Sequence, residues 1–255
     1  MRKLLLSLLL SPLMAMATTN TVVYNVTSNQ VVSGDLIEDK VSIASISKLM
    51  TVYTVLTQNQ PMNEKLTVKG NKVPNTKISK GMVLTRHDLL KLALVSSDNL
   101  AAITLSENYP GGRANFITEM NHNARDMGMF NSGFVEPTGL SPMNYSTIED
   151  VIKLTSAVST FEIVQTAAKS NGEVAQYQYS KGKKTSKLNS NPTSTHFGKQ
   201  GIVTIKTGFT KAAGFCITML VSANNQLYNI TILGAKTKQE REAIIKNSLD
   251  IIYRI

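Results

Sequence analysis

The chain is short of cysteine, of acidic side chains and of long apolar runs. Its 255 residues include one cysteine, Cys216, so no disulfide framework can hold them together. Asp and Glu number 17 against 27 Lys and Arg, a formal balance of +10. Only 17% of residues are charged and the mean hydropathy is −0.05, which is too apolar for a disordered chain. No stretch of eighteen or more apolar residues occurs, which excludes a bundle of membrane-spanning helices. There is no internal repeat and no low-complexity linker. What is present is 42% hydrophobic, enough to bury a core in one large domain or two small ones. The basic balance suggests an anionic partner, whether nucleic acid, an anionic membrane or an acidic polymer.

Residues 1–17 read as a cleaved secretory signal peptide. Arg2 and Lys3 precede an apolar segment, Leu4 to Leu13, and Ala15-Met16-Ala17 is a small-residue cleavage pattern. The apolar run is short for an uncleaved anchor, the other reading of this segment. No cysteine follows the cleavage pattern to carry a lipid. Cleavage would remove two positive charges and no negative ones, leaving +8 from the +10 of the whole chain. In an exported chain Cys216 has no internal partner, and its strand-like setting, Phe215 to Val221, reads as a small buried hydrophobe.

Strands are expected at Thr21–Val26 and Gln30–Ser33, an apolar helix at Lys48–Leu56, and a loop-rich stretch over 57–85 with breaks at Lys69-Gly70 and Lys80-Gly81. Helical spacing runs from Arg86 to Leu105 and again from Asn115 to Gly128. A further helix spans Ser146–Ser159, capped by Ser146 or Thr147. Residues 170–200 are polar, with loops and a short hairpin. Strands follow at Ile202–Thr207, then Phe215–Ser222 and Leu227–Leu233 around Asn224-Asn225, and a basic amphipathic helix closes the chain from Lys236 to Tyr253. Strands at both ends with helices between them predict an α+β fold, in which the terminal strands share one antiparallel sheet beside a helical lobe.

Three short patterns carry chemistry: Ser45-Ile46-Ser47-Lys48, Ser97-Asp98-Asn99 and Lys206-Thr207-Gly208. Each is weak alone. Ser45 can be read as a helix cap, Lys48 as a solvated charge, and the third triplet as an ordinary strand end. A second S-x-x-K occurs at Ser180–Lys183. Their order and contexts give them weight. Ser45 and Lys48, three apart on a helix, share a face, and a serine hydroxyl needs a nearby base to become nucleophilic. A lysine can be that base only if burial or a neighbouring cation, for which Lys206 is the candidate, lowers its pKa.

This trio resembles that of penicillin-binding proteins and class A β-lactamases. Tyr109-Pro110-Gly111-Gly112, Phe134 to Ser141 and Lys206 to Gly214 extend the resemblance to the D-alanyl-D-alanine endopeptidase type of low-molecular-mass penicillin-binding protein, a branch of the S11 peptidases. The similarity runs from about Val22 to Leu249. It implies the penicillin-binding fold, with residues 18–255 as one DD-peptidase domain and no C-terminal β-domain. It implies a periplasmic serine enzyme, without metal or cofactor, that cleaves D-Ala–diaminopimelate cross-links of peptidoglycan through an acyl-enzyme. A DD-carboxypeptidase, a β-lactamase and a non-catalytic peptidoglycan-binding protein are the alternatives. Penicillins would acylate it, nucleic acid would not be a partner, and membrane contact would be peripheral at most. Ser45 would be the nucleophile, Lys48 its base and Ser97 a proton relay. Asn99 would bond Lys48 and the substrate amide, while Lys206 and Thr207 would bind the substrate carboxylate. Gly208 would let the substrate lie against the strand, and the N–H groups of Ser45 and Phe209 would form an oxyanion hole.

His87, His122 and His196 form no metal-binding pattern. Glu136 invites comparison with a deacylating glutamate, but its setting in the resemblance is structural. Lys181, Lys183, Lys184 and Lys187 read as a solvated basic loop, or as a contact for anionic peptidoglycan or membrane.

Overall fold

A computed structural model describes residues 19–170, 173–179, 186–189 and 201–255. The expected signal peptide lies outside these residues, as do His196, Ser180 and, apart from Lys187, the basic cluster at 181–187. In chain order, β1 (Asn20–Asn25) and β2 (Gln30–Gly34) form a hairpin. Strand β3 (Val41–Ser42) comes before a 3-10 turn, Ala44–Ile46, which runs straight into α1 (Ser47–Thr57). Strands β4 (Lys65–Thr67) and β5 (Met82–Thr85) flank a long loop. Helices α2 (Arg86–Val95), α3 (Asn99–Glu107) and α4 (Gly112–Asp126) follow. Then come β6 (Tyr145–Ser146), α5 (Ile148–Val158) and α6 (Glu162–Lys169). Strands β7 (Glu173–Tyr179), β8 (Ser186–Asn189), β9 (Ile202–Thr210), β10 (Gly214–Ala223) and β11 (Gln226–Ala235) lead to the closing helix α7 (Lys238–Arg254).

The ends of the chain meet in one antiparallel sheet of order β2-β1-β11-β10-β9, with Val22 opposite Thr231 and Thr207 opposite Ile217. β10 and β11 pair β-branched residues at their centres, Ile217 and Thr218 opposite Ile232 and Thr231, because such side chains pack well on a pleated surface. The turn between them is Asn224-Asn225, both at positive φ (50° and 60°), as a tight two-residue hairpin requires.

Period two sends alternate side chains to opposite faces of this sheet. One face, with Ile217, Met219, Val221, Ile230 and Ile232, packs against Ile245 and Ile252 of α7. The other face meets α5 through a buried hydroxyl chain. Thr155 of α5 and Thr218 of β10 lie 2.9 Å apart at oxygen, and Thr218 and Thr231 of β11 also 2.9 Å. Beyond it lies the helical lobe, centred on α1. Eight of the eleven residues of α1 are buried, so this helix has no solvent face to advertise it. A second antiparallel sheet, β4-β5-β7-β8, borders the lobe.

Two expectations change. The helical spacing from Arg86 to Leu105 is not one helix: it breaks at Ser96-Ser97-Asp98. Both α2 and α3 bury leucines in the same core, so the apolar rhythm continues across the break. Ser97 sits at φ +53°, outside the right-handed helical region, and Asp98 restarts the chain as an N-cap, accepting from Ala101 N at 2.9 Å. The reading of 160–169 assigned no element, yet α6 forms there and buries Val164, Ala167 and Ala168.

Candidate active site

The site is built where α1, the α2–α3 break and β9 meet. Ser45 lies in the 3-10 turn rather than in α1 itself, and the residue before it, Ala44, is at φ +46°. Two glycines hold this turn from either side. A Cβ on Gly208 of β9 would stand 2.8 Å from Ser45 N, and one on Gly139 would stand 1.8 Å from the Ala44 carbonyl oxygen. Gly139 is also at φ +79°, where a side chain would add strain. No other residue type permits that approach.

The Lys48 amine is fully buried, 2.9 Å from Ser45 Oγ and 2.7 Å from the Thr138 carbonyl oxygen. Burial lowers its pKa to about 7, against the smaller opposing pull of Glu136 and Asp98. Desolvation, rather than a cation beside it, is thus what lowers this lysine. Lys206 is buried as well, and its pKa falls well below the usual lysine range, through burial first and then through Lys48. Its amine donates to Ser97 Oγ at 2.9 Å and to its neighbour's carbonyl, Thr207 O, at 2.9 Å. Two lysine–serine pairs therefore stand in the site.

The Thr138 carbonyl is aimed by Glu136. Its carboxylate accepts from Thr138 N (2.7 Å), Thr138 Oγ1 (2.6 Å), Gly139 N (2.6 Å), Ser141 N (3.3 Å) and Asn144 Nδ2 (3.2 Å). Thr51 of α1 adds a bond to the Pro137 carbonyl at 2.6 Å. Glu136 is spent on folding its own loop beneath Lys48.

Asn99 does not bond Lys48. Its Nδ2 donates to the Pro74 carbonyl at 2.7 Å, while its buried Oδ1 has no hydrogen-bond partner among the described residues. Asp98, between the serine and the asparagine, clamps the β4–β5 loop. It accepts from Thr76 Oγ1 at 2.8 Å and from Lys77 N at 2.5 Å. Asn75 returns the clamp, donating from Nδ2 to Ser96 O (3.2 Å) and Ser97 O (2.8 Å). The motif is thus also a fastening, which the triplet as a pattern does not disclose.

A cleft of about 460 Å³ joins these groups. Ser45, Ser97, Asn99, Thr207, Gly208 and Phe209 all line it. β9 is the edge strand of its sheet, and the cleft runs along it. The Phe209 ring is 54% exposed and lies on Phe215 with centroids 4.2 Å apart, an apolar lip beside Leu140. The sequence reading missed Pro74, Asn75, Lys238 and Arg241 as wall residues. Arg241 is buried, its Nε has no hydrogen-bond partner among the described residues, and burial lowers its pKa. Only its place in a basic helix could have signalled it. Among the described residues no group of three or more His, Cys, Asp or Glu is arranged to hold a metal ion. His87 and His122 are exposed, away from the cleft lining. Cys216 is buried and its thiol is pushed up to about 11 by desolvation, which keeps it from acting as a nucleophile.

A serine beside a buried amine of lowered pKa is chemically suited to acyl transfer, and the chain is similar to known proteins. The chain is 37% identical to a D-alanyl-D-alanine endopeptidase of Escherichia coli (strain K12), over 76% of this chain and 63% of that protein. It therefore spans less than two thirds of that relative's length. The crystal structure of the Streptomyces K15 DD-transpeptidase superposes with a TM-score of 0.84 at 21% identity, covering 92% of this chain and 97% of that one, which shows the fold. Penicillin-binding protein D2 of Listeria monocytogenes, in its ampicillin-bound form, superposes with a TM-score of 0.75 at 27% identity, covering 91% and 95%. Residues 10–237 match the model of the S11 peptidases, described as D-alanyl-D-alanine carboxypeptidase, and this chain belongs to that family.

Proposed function

We propose that the chain is a serine DD-peptidase acting on peptidoglycan, and that its preferred reaction is endopeptidase cleavage of D-Ala–diaminopimelate cross-links. The observation that carries the reading is the buried Lys48 amine 2.9 Å from Ser45 Oγ, with a pKa near 7. A neutral amine can donate to the Thr138 carbonyl and turn its lone pair to the serine hydroxyl. The Ser45 proton passes to Lys48 as Oγ attacks the D-Ala carbonyl carbon. The developing oxyanion is held by the N–H groups of Ser45 and Phe209. Collapse breaks the amide bond. The leaving amine takes a proton through Ser97, and water then releases the acyl group from Ser45. The substrate lies extended along the edge of β9, with Gly208 allowing close approach and Asn99 Oδ1 free to accept from its amide. A substrate carboxylate at Lys206 and Thr207 favours the proton on Lys206, leaving Lys48 neutral for its role as base.

We read residues 1–17 as the leader that delivers a domain of residues 18–255 to the periplasm. β-Lactams, whose ring carbonyl mimics the scissile amide, would acylate the same serine. Labelling with a fluorescent penicillin tests the acyl-serine step. Wild-type protein labels and Ser45→Ala does not; equal labelling of the two refutes the assignment. Digestion of purified cross-linked muropeptides beside free pentapeptides tests the preference. Dimers are cleaved; release of D-Ala from pentapeptides with dimers left intact would make it a carboxypeptidase.

A further inference from the structure

The loop between β4 and β5 has a charge pattern that the catalytic reading does not use. From Lys65 to Thr85 the sequence has five lysines, Lys65, Lys69, Lys72, Lys77 and Lys80, and no acidic residue. All five are exposed. Among the described residues Lys65, Lys69, Lys72 and Lys80 have no ion-pair partner. Five positive charges with no acidic residue among them give this stretch a positive potential that favours a bound anion.

The loop is not free to spread its charges. Asp98, Asn75 and Asn99 fasten its centre to the Ser97 turn, and Pro74 and Asn75 form part of the cleft wall. Behind that wall lies a separate cavity of about 270 Å³. Lys72 and Lys80 face it together with Asn71 and Ser79, over a base of Ile78 and Leu100. Leu100 follows Asn99 directly, so the first two residues of α3 serve the two cavities, one each. Two unpaired ammonium groups, polar neighbours and an apolar base suit a carboxylate on a short aliphatic stem.

We propose that this basic cavity is an accessory site for a carboxylate on a peptide stem of the wall polymer, next to the stem being cut. The proposal rests on the peptidoglycan reading above and deepens it. The cleft takes one peptide; Lys72 and Lys80 hold a neighbouring stem of the same polymer. The loop thereby favours polymeric over small soluble substrate.

The test compares the purified full chain with Lys72→Glu/Lys80→Glu, and with a control reversal on α7, Lys246→Glu/Arg254→Glu. Co-sedimentation with insoluble wall polymer, stripped of protein and of phosphate-bearing polymers, reads capture; fluorescent-penicillin labelling reads the chemistry. At low salt the Lys72/Lys80 variant binds about ten-fold more weakly than wild type, and the difference closes at about 0.5 M salt. Its penicillin labelling stays within about two-fold of wild type, because Lys72 and Lys80 do not line the cleft that takes the β-lactam. Amidating the polymer's carboxylates abolishes the advantage of wild type. The proposal is overturned if the control reversal weakens capture equally, if amidated polymer is captured as well as native, or if the two lysines govern binding to anionic phospholipid vesicles instead. Failure of wild type to label would refute the acyl-serine reading, while sedimentation would still judge the accessory site.

Discussion

At the scale of single residues, Lys48 decides what the site can do. A lysine exposed to water keeps its proton at neutral pH; this one, sealed beneath the Glu136 loop, titrates near 7. Protonated, it cannot accept the serine proton. We therefore expect the second-order rate of penicillin acylation to fall about ten-fold per pH unit below that value and to level off above it. A stopped-flow pH profile that climbs steadily to pH 10 would assign the limb to another group. Lys48→Ala should slow acylation while the fold survives. Glu136 predicts differently. With its carboxylate accepting hydrogen bonds from its own loop, it has no free oxygen aimed at a water. Glu136→Ala should lower stability by about 3 kcal/mol in denaturant titration, since buried donors lose a charged acceptor. In wild type the penicilloyl-enzyme should persist in mass spectra long after labelling; rapid turnover of the adduct would restore the β-lactamase reading.

At the scale of elements, the serine turn is held between a strand and a loop. Gly139→Ala drives a methyl group into the Ala44 carbonyl and should cost at least about 2 kcal/mol, seen as a lower unfolding midpoint. Gly208→Ala presses on Ser45 N, one of the proposed oxyanion donors. It should cut acylation about a hundred-fold with a smaller loss of stability. If both variants lose stability and rate in the same proportion, the glycines serve folding alone. Local sequence announced much of this architecture. Asn224-Asn225 marked the hairpin, Ser146-Thr147 the start of α5, where Thr147 is the cap, and the three motifs the meeting points of the site. It did not announce the break at Ser97, because α2 and α3 share one apolar surface. Nor did it reveal that the Thr138 carbonyl lies under Lys48 or that Asn99 turns to Pro74. Those contacts span long stretches of chain, and no local spacing encodes them.

At the scale of the whole molecule, β1 is an interior strand, paired on one side with β2 and on the other with β11. A chain beginning at Thr19 should unfold in one cooperative transition, whereas a chain lacking residues up to Gly34 should show none, because the edge of β11 and the core surface that Val22 and Val23 cover would meet water. Circular dichroism during thermal melting distinguishes the two. That shared sheet was legible from strands at both ends of the sequence; the way it brings Ser45, Ser97 and Lys206 together was legible only through the motifs. The closure of the sheet also sets an order of events. β1 must wait for β11, some two hundred residues later, and long-range pairing of this kind is slow. β9 carries Gly208 to Ser45 and Lys206 to Ser97, so the site is incomplete until that strand has docked. On the proposed mechanism the serine would therefore become reactive only once β9 is in place. On that reading a growing or half-folded chain would carry an ordinary hydroxyl that neither cuts nor is acylated, and a covalent penicillin label would count finished molecules only.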